Sequence, residues 1–161
     1  MPAVMSDLTT RPAKPSDTRA ILGLIGHYSA KGEMLPRSYS QVLERSRDFH
    51  VALGPKGELV GVVGLHPVAE DLAEIRSLAV LENLKGKGVG RKLVEACLAD
   101  AKSLGLTRVF ALTYQTGFFK KMGFEAVEKM TLPQKIWGDC VHCAKFSDCD
   151  EVAVLKTFPA P

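Results

Sequence analysis

Apolar positions recur along this chain with two periods, and the switches between them mark out its elements. Residues 1–6 carry no pattern and are expected to be frayed. Residues 8–14 read as a first strand that stops at Pro15-Ser16-Asp17, where Ser16 or Asp17 supplies the N-cap of a helix reaching about Ser29. Ile21, Leu22, Leu24 and Ile25 make its buried stripe, while His27 and Tyr28 near its end read as a half-buried pair, with cleft lining as the alternative. After the break at Gly32, the segment Met34-Leu-Pro-Arg37 forms a loop before a short helix over residues 38–45.

Residues 49–53 and 58–66 alternate on either side of Gly54-Pro-Lys-Gly57, predicting an antiparallel hairpin whose second strand ends at Pro67. Residues 73–80 are the next strand. A long helix follows over residues 88–104, with Leu93, Val94, Cys97, Leu98 and Ala101 on its apolar face and Gly105 as its stop. A strand over residues 108–113, a short helix over 118–122, a strand opening at Gly123-Phe124 and a last strand over 152–155 complete the order. Cys97 is a small core residue in this reading.

Between the strand ending at Val80 and the long helix, Gly86, Gly88 and Gly90 are spaced so that backbone N–H groups converge on one concavity at the positive end of the helix dipole. Lys85, Lys87, Arg91 and Lys92 surround it with positive charge, so a pyrophosphate fits as the guest. A glycine-rich turn that merely caps a helix would need fewer glycines and fewer cations. The run matches neither Gly-x-x-x-x-Gly-Lys-Ser/Thr nor Gly-x-Gly-x-x-Gly. What remains, Lys85-x-x-Gly88-x-Gly90, resembles the Arg/Gln-x-x-Gly-x-Gly/Ala loop of the GNAT N-acetyltransferases, which binds the pyrophosphate of acetyl-CoA.

The resemblance extends over most of the chain from Leu35 onward. Leu35-Pro-Arg37, Ala73-Glu-Ile-Arg-Ser-Leu-Ala-Val80, Leu112-Thr-Tyr-Gln-Thr-Gly-Phe-Phe119, Gly123-Phe124 and Ile136-Trp through Cys149-Asp-Glu151 are similar to the short, stand-alone N-acetylglutamate synthases of bacterial arginine biosynthesis within that superfamily. It implies an α/β (α+β) GNAT fold, a mixed central sheet with helices on both faces, in a single domain over residues 1–161. It implies acetyl-CoA held by Leu78, Ala79, Val80, Lys85, Gly86, Lys87, Gly88, Val89, Gly90, Arg91 and Phe119, with the Leu78 N–H polarising the acetyl carbonyl and the Val80 N–H pairing with the pantetheine arm.

Glu74 then stands where several family members carry a basic glutamate, with a structural ion-pair role as the alternative. Phe119 occupies the place of the usual acidic tyrosine, leaving Thr113 or Tyr114 to return a proton to the thiolate. An acceptor with two carboxylates, L-glutamate, calls for cationic and polar clamps, for which Arg37, Arg76, Thr113 and Gln115 are the candidates. Surface positions are the alternative for both arginines. Another amine acceptor (glutamine, a polyamine, an antibiotic, a protein N-terminus) or an acyl-CoA sensor without turnover would share the loop.

Composition adds boundaries. With 161 residues and 46% hydrophobic side chains the chain can close one core, and its net charge of +3 is too small to argue for nucleic acid. No apolar run approaches the roughly 20 residues of a membrane span and no secretory leader is evident, so a soluble, cytoplasmic protein is expected, with a small amine and a second copy of the chain as partners. Residues 132–150 form a cysteine-containing loop before the last strand. Its Cys140, Cys143 and Cys149, with His142 between them, are open to three readings: zinc ligands, packed reduced thiols, or a disulfide.

Overall fold

The fold is described from a computed structural model covering residues 7–132 and 151–159. In chain order the elements are β1 (Thr9–Pro12), α1 (Thr18–Ser29), α2 (Tyr39–Glu44), β2 (Phe49–Leu53), β3 (Leu59–Ala69), β4 (Leu72–Val80), α3 (Val89–Ser103), β5 (Arg108–Thr113), α4 (Thr116–Lys121), β6 (Glu125–Val127) and β7 (Val152–Thr157). The strands form a seven-stranded sheet in the order β1-β2-β3-β4-β5-β7-β6. It is mixed, since β4 and β5 run parallel while β1–β2, β2–β3, β5–β7 and β6–β7 are antiparallel. The mixed sheet with helices anticipated above is therefore present.

Two compact units divide the chain. One holds the residues up to Leu65 together with Ile75–Asp100, and the other holds His66–Glu74 and the chain from Ala101 onward. In the first unit α1 buries Ile21, Leu24, Ile25 and Tyr28, the i, i+3, i+4, i+7 face of a helix, against Val42, Phe49, Val51, Val62 and Ala79. In the second, Leu72, Phe110, Leu132 and Ala153 form a smaller core with Val68, Leu112, Val127 and Leu155 around it.

Helix α3 packs against β3 at Gly61. A Cβ there would stand 2.9 Å from Leu93 Cδ1 and 3.0 Å from Val89 Cγ1, so only a residue without a side chain lets the first turn of α3 seat at this depth. Cys97 on the same helix is fully buried, and burial pushes its thiol up to about 12. It is a core residue, as expected.

One sequence expectation is corrected and another refined. Pro67 does not end its strand, because β3 continues to Ala69. The β2 register stops at Phe49↔Gly64, so on that side Pro67 lies beyond the last partner and has no ladder bond to lose. Asp17 does stand at the N-cap position of α1, as expected, but its side chain makes no bond to the helix. Its carboxylate instead accepts from the Lys14 N–H at 2.7 Å and takes both Arg11 Nη atoms, at 2.8 and 3.1 Å, closing the 3-10 turn before the helix. The Arg11 hydrogen bonds hold that carboxyl below its ordinary range, against the opposing effect of burial.

Candidate active site

The site is built on the second half of β4 and the turn that follows it. The parallel register of β4 with β5 covers Leu72, Ala73 and Glu74. Three residues later Ser77 adopts φ 58°, the sole non-glycine residue with positive φ among the described residues. The left-handed conformation costs an L-residue about 1–2 kcal/mol, and such strain persists where the surrounding structure enforces it. Rotation at Ser77 turns the next peptide out of regular strand alternation, and that peptide carries the N–H of Leu78. Leu78 and Val80 are half-buried, with Ala79 buried between them.

Past Val80 the chain makes a 3-10 turn, Glu82–Leu84, and then the turn of residues 85–88 that delivers α3. Gly86 (φ 78°) and Gly88 (φ 88°) both occupy the left-handed region that glycine alone enters freely. At Gly86 a Cβ would meet nothing within 4 Å, so its glycine is needed for conformation and not for space. Lys92 N donates to Gly88 O at 3.1 Å, the first bond of a 15-residue helix. The N–H groups ahead of it have no intrahelical acceptor, which together with the helix dipole makes an anion seat. An open turn with two left-handed glycines at the head of a long helix fits a diphosphate.

The cations divide. Lys87 and Arg91 flank the seat, the latter in a loose, exposed pair with Glu95 at 3.6 Å that solvent weakens. Lys92 is committed elsewhere, since its ammonium donates to Leu8 O at 3.2 Å. Lys85 leans toward α1. Its ammonium lies 4.6 Å from the centre of the Tyr28 ring and 3.4 Å from Glu82 Oε2. Burial works against its charge, but the Tyr28 and Glu82 interactions outweigh this and raise its pKa.

Tyr28 is buried and donates its hydroxyl to Val80 O at 2.5 Å. Glu82 Oε1 accepts from Lys31 Nζ at 2.5 Å and meets His27 Nε2 at 3.0 Å. Hydrogen bonds from Lys31 first, then His27, hold the Glu82 carboxyl at about 2. The sequence left Tyr28 between packing and a cleft, and missed Glu82 and Lys31 altogether. No periodicity flags a polar cluster assembled from the end of a helix and a turn more than fifty residues later.

The acceptor candidates are placed separately. Arg37 and Arg76 are both half-buried in the unit that carries the glycine turn. Arg37 precedes a capping box in which Gln41 N donates to Ser38 Oγ at 3.1 Å and Ser38 N donates to Gln41 Oε1 at 2.8 Å, fixing the exit of its loop.

In the other unit, half-buried Glu74 pairs with Phe110 in the β4–β5 register. Buried Thr113 ends β5, and its hydroxyl oxygen accepts the Gln115 N–H at 2.8 Å, leaving the hydroxyl hydrogen able to donate. Gln115 is exposed at the head of α4. Phe119 is buried, its ring edge-to-face with Phe118 and Phe124 at 5.1 Å each.

Cys140, His142, Cys143 and Cys149 lie outside the described residues, among which no cluster of three or more His, Cys, Asp or Glu could hold a metal. Among the same residues no helix is long and apolar enough to cross a membrane.

Comparison with known proteins supplies the family. The model of the acetyltransferase (GNAT) family matches residues 20–124. An uncharacterized N-acetyltransferase of Chlorobaculum tepidum is 45% identical over 98% of this chain and 99% of its own length. An amino-acid acetyltransferase of Mycobacterium tuberculosis is 35% identical over 80% of this chain and 75% of its own. The crystal structure of N-acetylglutamate synthase from Neisseria gonorrhoeae, complexed with coenzyme A and N-acetyl-glutamate, superposes with a TM-score of 0.83 at 25% identity, and the match takes in 94% of this chain but 35% of that one. The family match over residues 20–124 and these relatives agree, and the chain belongs to the GNAT family as an acetyl-CoA-dependent N-acetyltransferase.

Proposed function

We propose that the acceptor is the α-amine of L-glutamate, which makes the chain an N-acetylglutamate synthase serving arginine biosynthesis. The observation that carries this reading is the 35% identity, over four-fifths of the chain, to an amino-acid acetyltransferase. The Neisseria structure with N-acetyl-glutamate adds weight to the choice of glutamate. Arg37 and Arg76 are the proposed partners of the two carboxylates, with Thr113 and Gln115 as polar contacts.

Acetyl-CoA supplies a thioester carbonyl already activated toward amines. The amide hydrogens of the turn and helix start hold its diphosphate, with Lys85, Lys87 and Arg91 around it. The Leu78 N–H, re-aimed by the turn at Ser77, stabilises the oxyanion that develops as the amine adds. Glu74, four residues earlier on the same strand, takes the ammonium proton through water. As the C–S bond breaks, the Thr113 hydroxyl donates toward the departing sulfur.

The test is thiol release from acetyl-CoA measured against glutamate, glutamine, other amino acids, a polyamine and a peptide amine. Glutamate should be used with the highest kcat/KM. Arg37→Ala and Arg76→Ala should raise its KM, and Glu74→Gln should lower kcat by about 10²-fold or more near neutral pH. A higher kcat/KM for any other amine overturns the acceptor assignment, and an unchanged rate in Glu74→Gln across the pH range removes the base.

A further inference from the structure

We propose that Tyr28 and Glu82 are positioning residues for acetyl-CoA: together they fix the Lys85 ammonium beside the glycine turn before the diphosphate arrives. The proposal rests on the acetyl-CoA reading of that turn and adds to it a device built from α1, which the loop motif does not contain.

A lysine at the mouth of an anion seat is a flexible stem carrying a strongly hydrated charge, and ordering it at the moment of binding subtracts from affinity. Here the ordering is done in advance. The Tyr28 ring is locked from both sides, by burial in the α1 core and by its hydroxyl on Val80 O, so the face it offers Lys85 at 4.6 Å cannot swing away.

Lys31 also approaches that ring, at 5.7 Å, and the two ammonium groups repel each other. Glu82 answers the repulsion. Its carboxylate lies 2.5 Å from Lys31 Nζ and 3.4 Å from Lys85 Nζ, with His27 Nε2 at 3.0 Å, so one negative charge separates the cations and ties the end of α1 to the chain just ahead of the turn. Glu33 adds a second carboxylate acting on Lys31, so the two lysines are balanced in charge while the Lys85 ammonium stays where the ring and Glu82 hold it, available to an incoming phosphate.

The experiment uses the full chain and compares acetyl-CoA with S-acetylpantetheine, a donor that lacks the diphosphate. Glu82→Gln and Tyr28→Leu should each lower kcat/KM for acetyl-CoA about three- to tenfold, with the loss in KM and not in kcat, and should raise the calorimetric Kd for CoA by the same factor. In Glu82→Gln, turnover of S-acetylpantetheine should not change. Tyr28→Phe keeps the ring and loses only the bond to Val80, so for acetyl-CoA it should fall between wild type and Tyr28→Leu. Equal losses with both donors in Glu82→Gln would mean a general structural role and overturn the proposal. So would wild-type behaviour in Glu82→Gln, or a gain in CoA affinity there, which would make the carboxylate a competitor of the phosphate. Glu82 is exposed, so its variant reports even where Tyr28→Leu fails to fold. Absence of CoA binding by the wild-type chain would instead remove the acetyl-CoA reading itself.

Discussion

Replacing Gly61 with alanine should damage cofactor binding from a position on β3, outside the glycine turn. The added methyl would lie 2.9 Å from Leu93 Cδ1, 3.0 Å from Val89 Cγ1 and 3.4 Å from Ala79 O. Both side chains are essentially buried and Val89 is β-branched, so a shift of either presses on close-packed neighbours. The outcome expected here is that the first turn of α3 moves off β3 by a few tenths of an ångström.

Overpacking of this kind costs about 1–3 kcal/mol. Alanine recovers about 0.5–1 kcal/mol of that, because the unfolded glycine chain has more freedom to lose. The net loss lies between about 0 and about 2.5 kcal/mol, and its midpoint of about 1.2 kcal/mol corresponds to a fall in Tm of roughly 2–5 °C for a chain of this size. Since Val89 is the first residue of α3, the same displacement moves the amide donors of the seat, and the Kd for CoA should rise together with the fall in Tm. Val89→Ala in the Gly61→Ala background removes one of the two clashing atoms and should give a double-mutant loss smaller than the sum of the single losses. Thermal unfolding within about 1 °C of wild type, with unchanged CoA affinity by calorimetry, would refute the packing argument.

Other residues make sharper, smaller tests. At Ser77 a glycine satisfies φ 58° freely and should leave stability nearly unchanged, whereas Ser77→Val puts a branched side chain in the left-handed region and should cost about 1–3 kcal/mol in urea unfolding, with a reduced kcat. His50 is buried with no hydrogen-bond partner on Nδ1, and burial holds its imidazole below the ordinary 6.5 despite the opposing pull of Asp100. Above about pH 6.5 the ring is neutral folded and unfolded alike; below it the unfolded chain takes up a proton first, so stability is lost as pH falls toward the folded value. His50→Gln should therefore show a shallower fall in Tm between about pH 7.5 and about pH 5.5, and an unchanged slope would clear His50 of the effect. The Cys97 thiol, pushed to about 12, should resist iodoacetamide in the native protein and react at the rate of unfolding, as peptide mapping by mass spectrometry would read.

How much of this was legible in the residues follows from what each feature depends on. Helices α1 and α3 and strands β2 to β5 were readable because burial imposes a period, and Ile21, Leu24 and Ile25 or Leu93, Val94 and Cys97 repeat with it. The glycine turn was readable because left-handed backbone at Gly86 and Gly88 leaves glycine as its sign. Ser77 has no such sign, for its positive φ is forced on an ordinary side chain by what surrounds it. Gly61 looked like any strand glycine, since the side chains it makes room for lie some thirty residues away. The misreading of Pro67 has a similar source: whether a proline ends a strand depends on where the neighbouring strand stops. The place of β7 between β5 and β6 was likewise hidden, because linear order does not say which edge a late strand will choose.

That last placement bears on how the protein is made. Strand β5 pairs residue for residue with β7 from Arg108↔Thr157 to Thr113↔Val152, and β6 bonds to β7 over three further positions. On a translating ribosome, the residues of the unit ending at Asp100 can collapse while β5 still offers a bare edge to solvent, and that edge stays open until about forty more residues have emerged. Nascent chains should accordingly depend on chaperones during that interval, and a stop codon ahead of Val152 should send the product into inclusion bodies.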